Sequence, residues 1–94
     1  MEIEKKYTMN KNQYVFTTRF VIHDNSEIIR IMHEENGDWQ FLGCEENLKE
    51  SDAVIISLGE IMDFDKSLCI VESLPMGKQA LRKDKQSPWY IYDI

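Results

Sequence analysis

The sequence predicts an α+β domain: a mainly antiparallel β-sheet with a central Asn-Gly hairpin and one or two short helices packed on one face. Three observations predict it. Two apolar, β-prone runs flank Asn36-Gly37 within the stretch from Ile28 to Cys44. Asn-Gly is a strong hairpin signal because a type I′ turn needs φ > 0 at both central residues. Ser57-Leu-Gly-Glu60 precedes apolar residues at helical spacing, and a serine followed three residues later by glutamate is a capping box, each side chain satisfying an orphan amide at a helix start. Trp89-Tyr-Ile-Tyr-Asp-Ile94 ends the sequence in aromatic and β-branched residues, which favour strands. Strands, then helical segments, then closing strands is the order of an α+β domain.

In chain order, residues 1–13 are mostly polar with Ile3, Tyr7 and Met9 loosely alternating, and read either as an arm or as a weak edge strand. Tyr14-Val-Phe-Thr-Thr is a clearer strand, and residues 19–22 either extend it or make one helical turn. His23-Asp24-Asn25-Ser26 is turn chemistry, since Asp, Asn and Ser bond their own backbone there. The hairpin strands follow over 28–35 and 38–43, and then a polar connection, 45–52, has Leu48 as its only apolar anchor. Residues 53–57 form a short continuous apolar run, the pattern of a buried strand. Leu58, Ile61 and Met62 make the apolar face of the capped helix. Asp65 reads as the N-cap of a second segment, 66–74, with Leu68, Val71 and Leu74 on one face; Pro75 and Gly77 stop it. Two short helices and one kinked helix both fit. Residues 78–83 are a weak strand and 84–88 a loop; the last strand places Trp89 and Ile91 on one face, Tyr90, Tyr92 and Ile94 on the other.

A two-residue Asn-Gly turn sets the hairpin register: Glu35 opposes Asp38, Glu34 Trp39, His33 Gln40, Met32 Phe41 and Ile31 Leu42. Directly opposed residues share a face. One face then carries Ile28, Arg30, Met32, Trp39 and Phe41. The other carries Ile29, Ile31, Leu42 and Cys44, with His33 and Gln40 near the tip. Both are substantially apolar, which predicts a hairpin covered at least in part on both sides. The expected core is Trp39, Phe41, Ile31, Leu42, Ile56, Ile61, Leu68, Val71 and Leu74.

Residues 1–94 are the length of one domain, enough to bury roughly 60–65 % of the unfolded surface in one modest core. The 43 % hydrophobic content argues against disorder. Net charge is −6, with 17 acidic against 11 basic residues. That disfavours nonspecific binding to nucleic acid or to an anionic membrane, both of which use basic patches, and suits either a basic partner or plain solubility. No apolar run approaches the ~20 residues of a membrane span. The start Glu-Ile-Glu-Lys-Lys lacks the apolar core of a signal peptide, so a cytoplasmic protein with free thiols is expected.

Catalytic chemistry finds little footing. His23 and His33 are the only histidines and Cys44 and Cys69 the only cysteines; none has metal-ligand spacing. His33 is expected to pair with a neighbouring carboxylate such as Glu35. Cys44 and Cys69 read as small hydrophobes in or beside the core. Asp63 and Asp65 flank Phe64, and an N-cap role for Asp65 is simpler than paired acids. The glycines form neither a phosphate loop nor a dinucleotide fingerprint. The aromatics Trp39, Phe41, Trp89, Tyr90 and Tyr92 lack the basic groove that single-strand binders add. The expectation is a binding protein without catalytic, metal or cofactor residues. Its candidate partner-binding residues are Glu34, Glu35 and Asp38 at the hairpin tip, with Glu45 and Glu46 in the next connection. If the fold brings them together, they make a negative patch able to steer a basic partner. A third class is a subunit that self-associates as a homodimer, the 89–94 strand pairing between copies if it lies at a sheet edge.

Several motifs occur in a recognisable order: His33-Glu-Glu-Asn-Gly-Asp-Trp-Gln-Phe-Leu-Gly43, Val54-Ile-Ile-Ser-Leu-Gly-Glu-Ile61, Asp65-Lys-Ser-Leu68, Leu74-Pro-Met-Gly77 with Ala80 and Arg82, and Trp89. Across about residues 14–89 they resemble a group of small bacterial domains of unknown function, similar to an immunity-protein family linked to bacterial toxin systems. Gly43-Cys44-Glu45 supplies the Gly-x-Glu spacing of the immunity-type relatives, while the first strand departs from their pattern. The resemblance implies neutralisation of a protein toxin by binding, and it implies no catalytic residue.

Overall fold

A computed structural model describes residues 10–94. The arm-or-strand alternative for the first residues falls largely outside them; within them, Gln13 N–H donates to the Asn10 carbonyl and closes a turn. The elements run β1 (Tyr14–Thr18), α1 (Arg19–Asp24), β2 (Arg30–His33), β3 (Trp39–Leu42), β4 (Ala53–Ser57), α2 (Leu58–Phe64), β5 (Lys78–Leu81) and β6 (Tyr90–Asp93), with 3-10 turns at Glu50–Asp52 and Cys69–Ser73. The six strands form one sheet in the order β4-β1-β3-β2-β5-β6, and every neighbouring pair is antiparallel except β1 with β3. The fold is α+β, as the order of motifs predicts.

Local chemistry explains the helices. Thr18 is extended and its hydroxyl accepts from Val21 N–H, so residues 19–24 become a helix rather than an extension of β1. Asn25 ends it in the left-handed conformation, φ 58°. The Ser57–Glu60 capping box forms with both reciprocal bonds. Asp65 does not start a second α-helix. It is the C-cap of α2, and its Oδ1 accepts from the N–H and hydroxyl of Ser67, which closes a turn instead. The following segment winds as a 3-10 turn, yet Leu68, Val71 and Leu74 still reach the core.

The hairpin register differs from the two-residue reading by one position. Gly37 N–H donates to the Glu34 carbonyl and Glu34 N–H to the Asp38 carbonyl, so the loop is Glu35-Asn36-Gly37. Only Gly37 has positive φ, +95°; Asn36 stays at negative φ and accepts the Asp38 N–H on its Oδ1. This is the three-residue hairpin loop, a turn followed by a left-handed glycine. The pairs become His33–Trp39, Met32–Gln40, Ile31–Phe41 and Arg30–Leu42. A one-residue slip moves a strand's whole side-chain set to the opposite face. Ile31 and His33 therefore join Trp39 and Phe41, and Arg30 and Met32 join Gln40 and Leu42.

The two faces are accordingly unequal: the helices cover one, and on the other Met32, Gln40 and Leu42 of the hairpin are only half-buried, so the expected cover is full on one side and partial on the other. One carries Val15, Ile31, Trp39, Phe41 and Ala80, all buried against Val21 of α1, Leu58 and Ile61 of α2, and Leu68, Val71 and Leu74. The other carries Tyr14, Phe16, Leu42, Ile55, Tyr90 and Tyr92, none of them buried. Leu42 is thus not a core residue, and Ile56 packs only partly against the core. Among the described residues β4 is an edge strand, not a buried one, with Ile55 58 % exposed. Among the described residues His33 pairs with no carboxylate: its ring stacks on Trp39 at 3.7 Å and its Nδ1 lies 2.8 Å from the Leu74 carbonyl.

Arg82 ties the layers together from a buried position. Its Nε donates to the Ile28 carbonyl, its Nη1 to the Ser67 hydroxyl, and its Nη2 lies 3.4 Å from Asp65 Oδ2. The guanidinium also sits 4.2 Å over the Trp89 ring. Removing one partner of a buried pair leaves an uncompensated charge. Arg82→Met is expected to lower unfolding free energy by about 3–5 kcal/mol, measured by urea titration. Asp65→Asn, made alone and together with Arg82→Met, completes a double-mutant cycle that isolates the pair. Phe41→Ala, at a fully buried position, is expected to cost about 3–5 kcal/mol through lost transfer energy and a cavity; a loss under about 1 kcal/mol would show that the side chain is not a core member.

Candidate functional site

The site begins with alternation along β1. Val15 and Thr17 point into the core, so Phe16 points out, 38 % exposed. Thr17 is held by its hydroxyl, which donates to the Phe41 carbonyl at 2.7 Å and links β1 to β3. On β3, the same alternation turns Gln40 and Leu42 outward beside Phe16. Glu34 follows β2 on this face, and its Oε2 accepts from Gln40 Nε2. The connection after β3 folds back over these residues with Leu48, leaving a cleft of about 270 Å³ between it and the sheet. The cleft is lined by the apolar side chains Phe16, Leu42 and Leu48 and by the charged residues Glu34, Lys49 and Asp52.

The connection is pinned by Asp52. This carboxylate accepts from Lys49 N–H at 2.9 Å and from Arg19 Nε at 2.9 Å. The Lys49 amide first, and then the Arg19 guanidinium, hold its pKa below the ordinary carboxylate value. Asp52 also lines the cleft, so its charge is spent internally and leaves Glu34 as the cleft's acid without a cationic partner among the described residues.

Glu45 is not brought to the acids of the hairpin tip. Asp38 follows the tip loop and bonds Asn36, and the Glu35 side chain lies against Gly77. Glu45 is at the far end of β3, where its Oε2 accepts from the Ser26 hydroxyl at 2.7 Å and its buried Oε1 has no partner among the described residues. Glu46 is exposed in that same connection. A four-residue strand spans about 13 Å, so Glu34, Glu35 and Asp38 lie at one end of β3 and Glu45 at the other. Sequence reasoning missed Phe16, Leu42 and Leu48 as site residues; the only signal was apolar side chains on both faces of one strand, which equally suits a covered sheet.

Cys44 and Cys69 are both exposed and unpaired, not core hydrophobes. Asp63 is exposed and pairs with Lys66 at 3.2 Å, whereas Asp65 is buried against Arg82, so the two acids share no site. Among the described residues no group of three His, Cys, Asp or Glu could hold a metal ion. No helix among them is long and apolar enough to cross a membrane.

Fold and cleft together define a two-layer α+β protein with one bare sheet face and an acid-rimmed cleft on it. Compared with protein-family models, with curated proteins and with solved structures, the chain matches none significantly.

Asp52 generates a pH prediction. A carboxyl whose folded pKa is depressed contributes stability above its unfolded pKa and loses it as pH falls through the folded value. The stability gap between the native chain and Asp52→Asn is therefore expected to be full at pH 7 and to shrink as pH falls below about 4, in urea titrations repeated across that range. A gap independent of pH would mean that the charge of Asp52 is not what pins the connection.

Proposed function

We infer that this chain is a bacterial, cytoplasmic, immunity-type protein that neutralises a basic protein toxin by non-catalytic binding. The observation that carries the reading is the acid-rimmed cleft. A lysine or arginine lays its apolar stem along apolar surface and keeps its charged head beyond it. Phe16 and Leu42 suit the stem and Glu34 the head, with Lys49 the one cation of the lining. One Glu34 oxygen already accepts from Gln40, and a carboxylate has about four acceptor sites, so capacity for a cation remains. The ordered resemblance to immunity-type domains supports the same reading, as does the net charge of −6. Two exposed, unpaired thiols suit a reducing compartment.

Opposed charges speed encounter, and exposed rim charges act mainly on association. Charge reversal at Glu34, Glu35 and Asp38 together is expected to slow association about tenfold and to flatten its salt dependence, with little change in unfolding free energy. The same reversal at Glu45 and Glu46 is expected to do less, because Glu45 is tied to Ser26 at the other end of β3. The partner is sought first among toxin-domain proteins encoded beside the gene, by co-expression and recovery of growth, and the rates are then read by stopped-flow mixing. The reading fails if no neighbouring or co-purifying protein binds and co-expression never restores growth.

A further inference from the structure

We propose that β6 is a self-pairing edge through which two copies of the chain join as an antiparallel dimer with one continuous sheet. β6 ends the strand order, and among the described residues it pairs only with β5. All four of its residues are exposed, Tyr90 at 60 %, Ile91 at 45 % and Tyr92 at 52 %. Ile91 is exposed although it shares a face with the core residue Ala80. The helical layer therefore stops short of β6, and both faces of the strand are accessible beside its outer edge. Proteins usually guard such edges with lysine, proline or a bulge. β6, Tyr-Ile-Tyr-Asp, has none of these three and its register with β5 runs unbroken; its one charge, Asp93, is paired with Lys78 of β5.

The main-chain groups define how a copy would add. Arg82 N–H donates to the Ile29 carbonyl, towards β2. Directions alternate along a strand, so Leu81 and Gln79 turn their N–H and C=O groups towards β6, and their partners Tyr90 and Tyr92 turn back to meet them. Ile91 between them directs its N–H and C=O to the open side. A twofold axis normal to the sheet at Ile91 lets this residue exchange both main-chain bonds with its own counterpart. Tyr90 then opposes the counterpart of Tyr92 on the bare face, which gathers four tyrosines, and the two isoleucines meet on the other face. Cross-strand aromatic and β-branched pairs of this kind stabilise antiparallel sheets. Asp93 opposes the counterpart of Trp89, so no like charges face each other. This self-complementarity selects a second copy as the occupant, in the symmetry commonest among homo-oligomers.

Two half-exposed tyrosines and an isoleucine offer roughly 300–400 Å² per copy. The total falls below the ~1,200 Å² of stable complexes, so the dimer is weak and fills only at high concentration. Each copy carries −6, and added salt screens that mutual repulsion. Salt therefore strengthens self-association, whereas it weakens binding to a basic partner, and the two interactions fail separately.

Sedimentation velocity of the full chain from about 1 µM to about 1 mM tests the proposal, with circular dichroism as the check on folding. The dimer fraction is expected to rise with concentration and with salt. Ile91→Lys and Ile91→Glu each place like charges directly opposite and are expected to be monomeric; mixing the two is expected to restore a dimer. Ile91→Pro deletes the outward donor, leaves the bonds to β5 and is also expected to be monomeric. A native chain that stays monomeric at about 1 mM overturns the proposal. So does a dimer that survives the single substitutions, a mixture that stays monomeric, or a different protein bound at this edge while the chain alone never self-associates.

Discussion

Glu34 opposes Asp38 across a three-residue loop, and that pairing assigns every residue of β2 and β3 to a side of the sheet. Gly37, at φ +95°, supplies the left-handed conformation that the loop needs and that side-chain-bearing residues adopt at a cost. With one residue fewer in the loop, Arg30 and Met32 would turn inward and Ile31 and His33 outward. Arg30 would then lie in an apolar layer without a carboxylate, a costly burial. The observed register instead leaves Arg30 exposed, with its Nε donating to Gln79 Oε1, and places the aromatic stack of His33, Trp39 and Phe41 against the helices.

The same register produces the bare face. Two helices of six and seven residues and a 3-10 turn cover only one side of a six-stranded sheet. On the other side, the connection after β3 is the nearest cover, and Asp52 holds it down through Arg19 and Lys49. An incompletely covered sheet keeps apolar side chains at the surface, and here Phe16, Leu42 and Leu48 become the floor of a cleft rather than a second core. The incomplete second layer and the cleft are one physical fact.

Net charge overstates the acid available for recognition. Asp65 is committed to Arg82 and Ser67, Asp52 to Arg19 and Lys49, and Asp93 to Lys78. Glu45 is half-buried beside Ser26. What remains near the cleft is the hairpin tip, with Glu34 at the rim. Of the sequence's candidate acids, Glu34, Glu35 and Asp38 lie at the hairpin tip, and Glu45 lies at the other end of β3.

Local signals by themselves determined much of this protein. The Thr18 and Ser57 caps, the strand-forming runs at 14–18 and 90–93 and the hairpin at Asn36-Gly37 all act over a few residues, where propensity and side-chain-to-backbone bonds decide. The helical spacing of Leu68, Val71 and Leu74 named three core residues although the segment winds as a 3-10 turn, because burial follows the spacing more closely than the helix type. Tertiary structure alone decided the rest. Asn-Gly is compatible with a two- or a three-residue loop, and only the energy of burying Ile31 and His33 rather than Met32 and Arg30 chooses between them. The parallel placement of β1 beside β3 and the burial of Arg82 arise between residues 24 to 54 positions apart, which no local pattern encodes. The cleft belongs to this second kind: its floor and rim come from β1, β3, the end of β2 and a returning loop, and they meet only once the long-range pairings have closed.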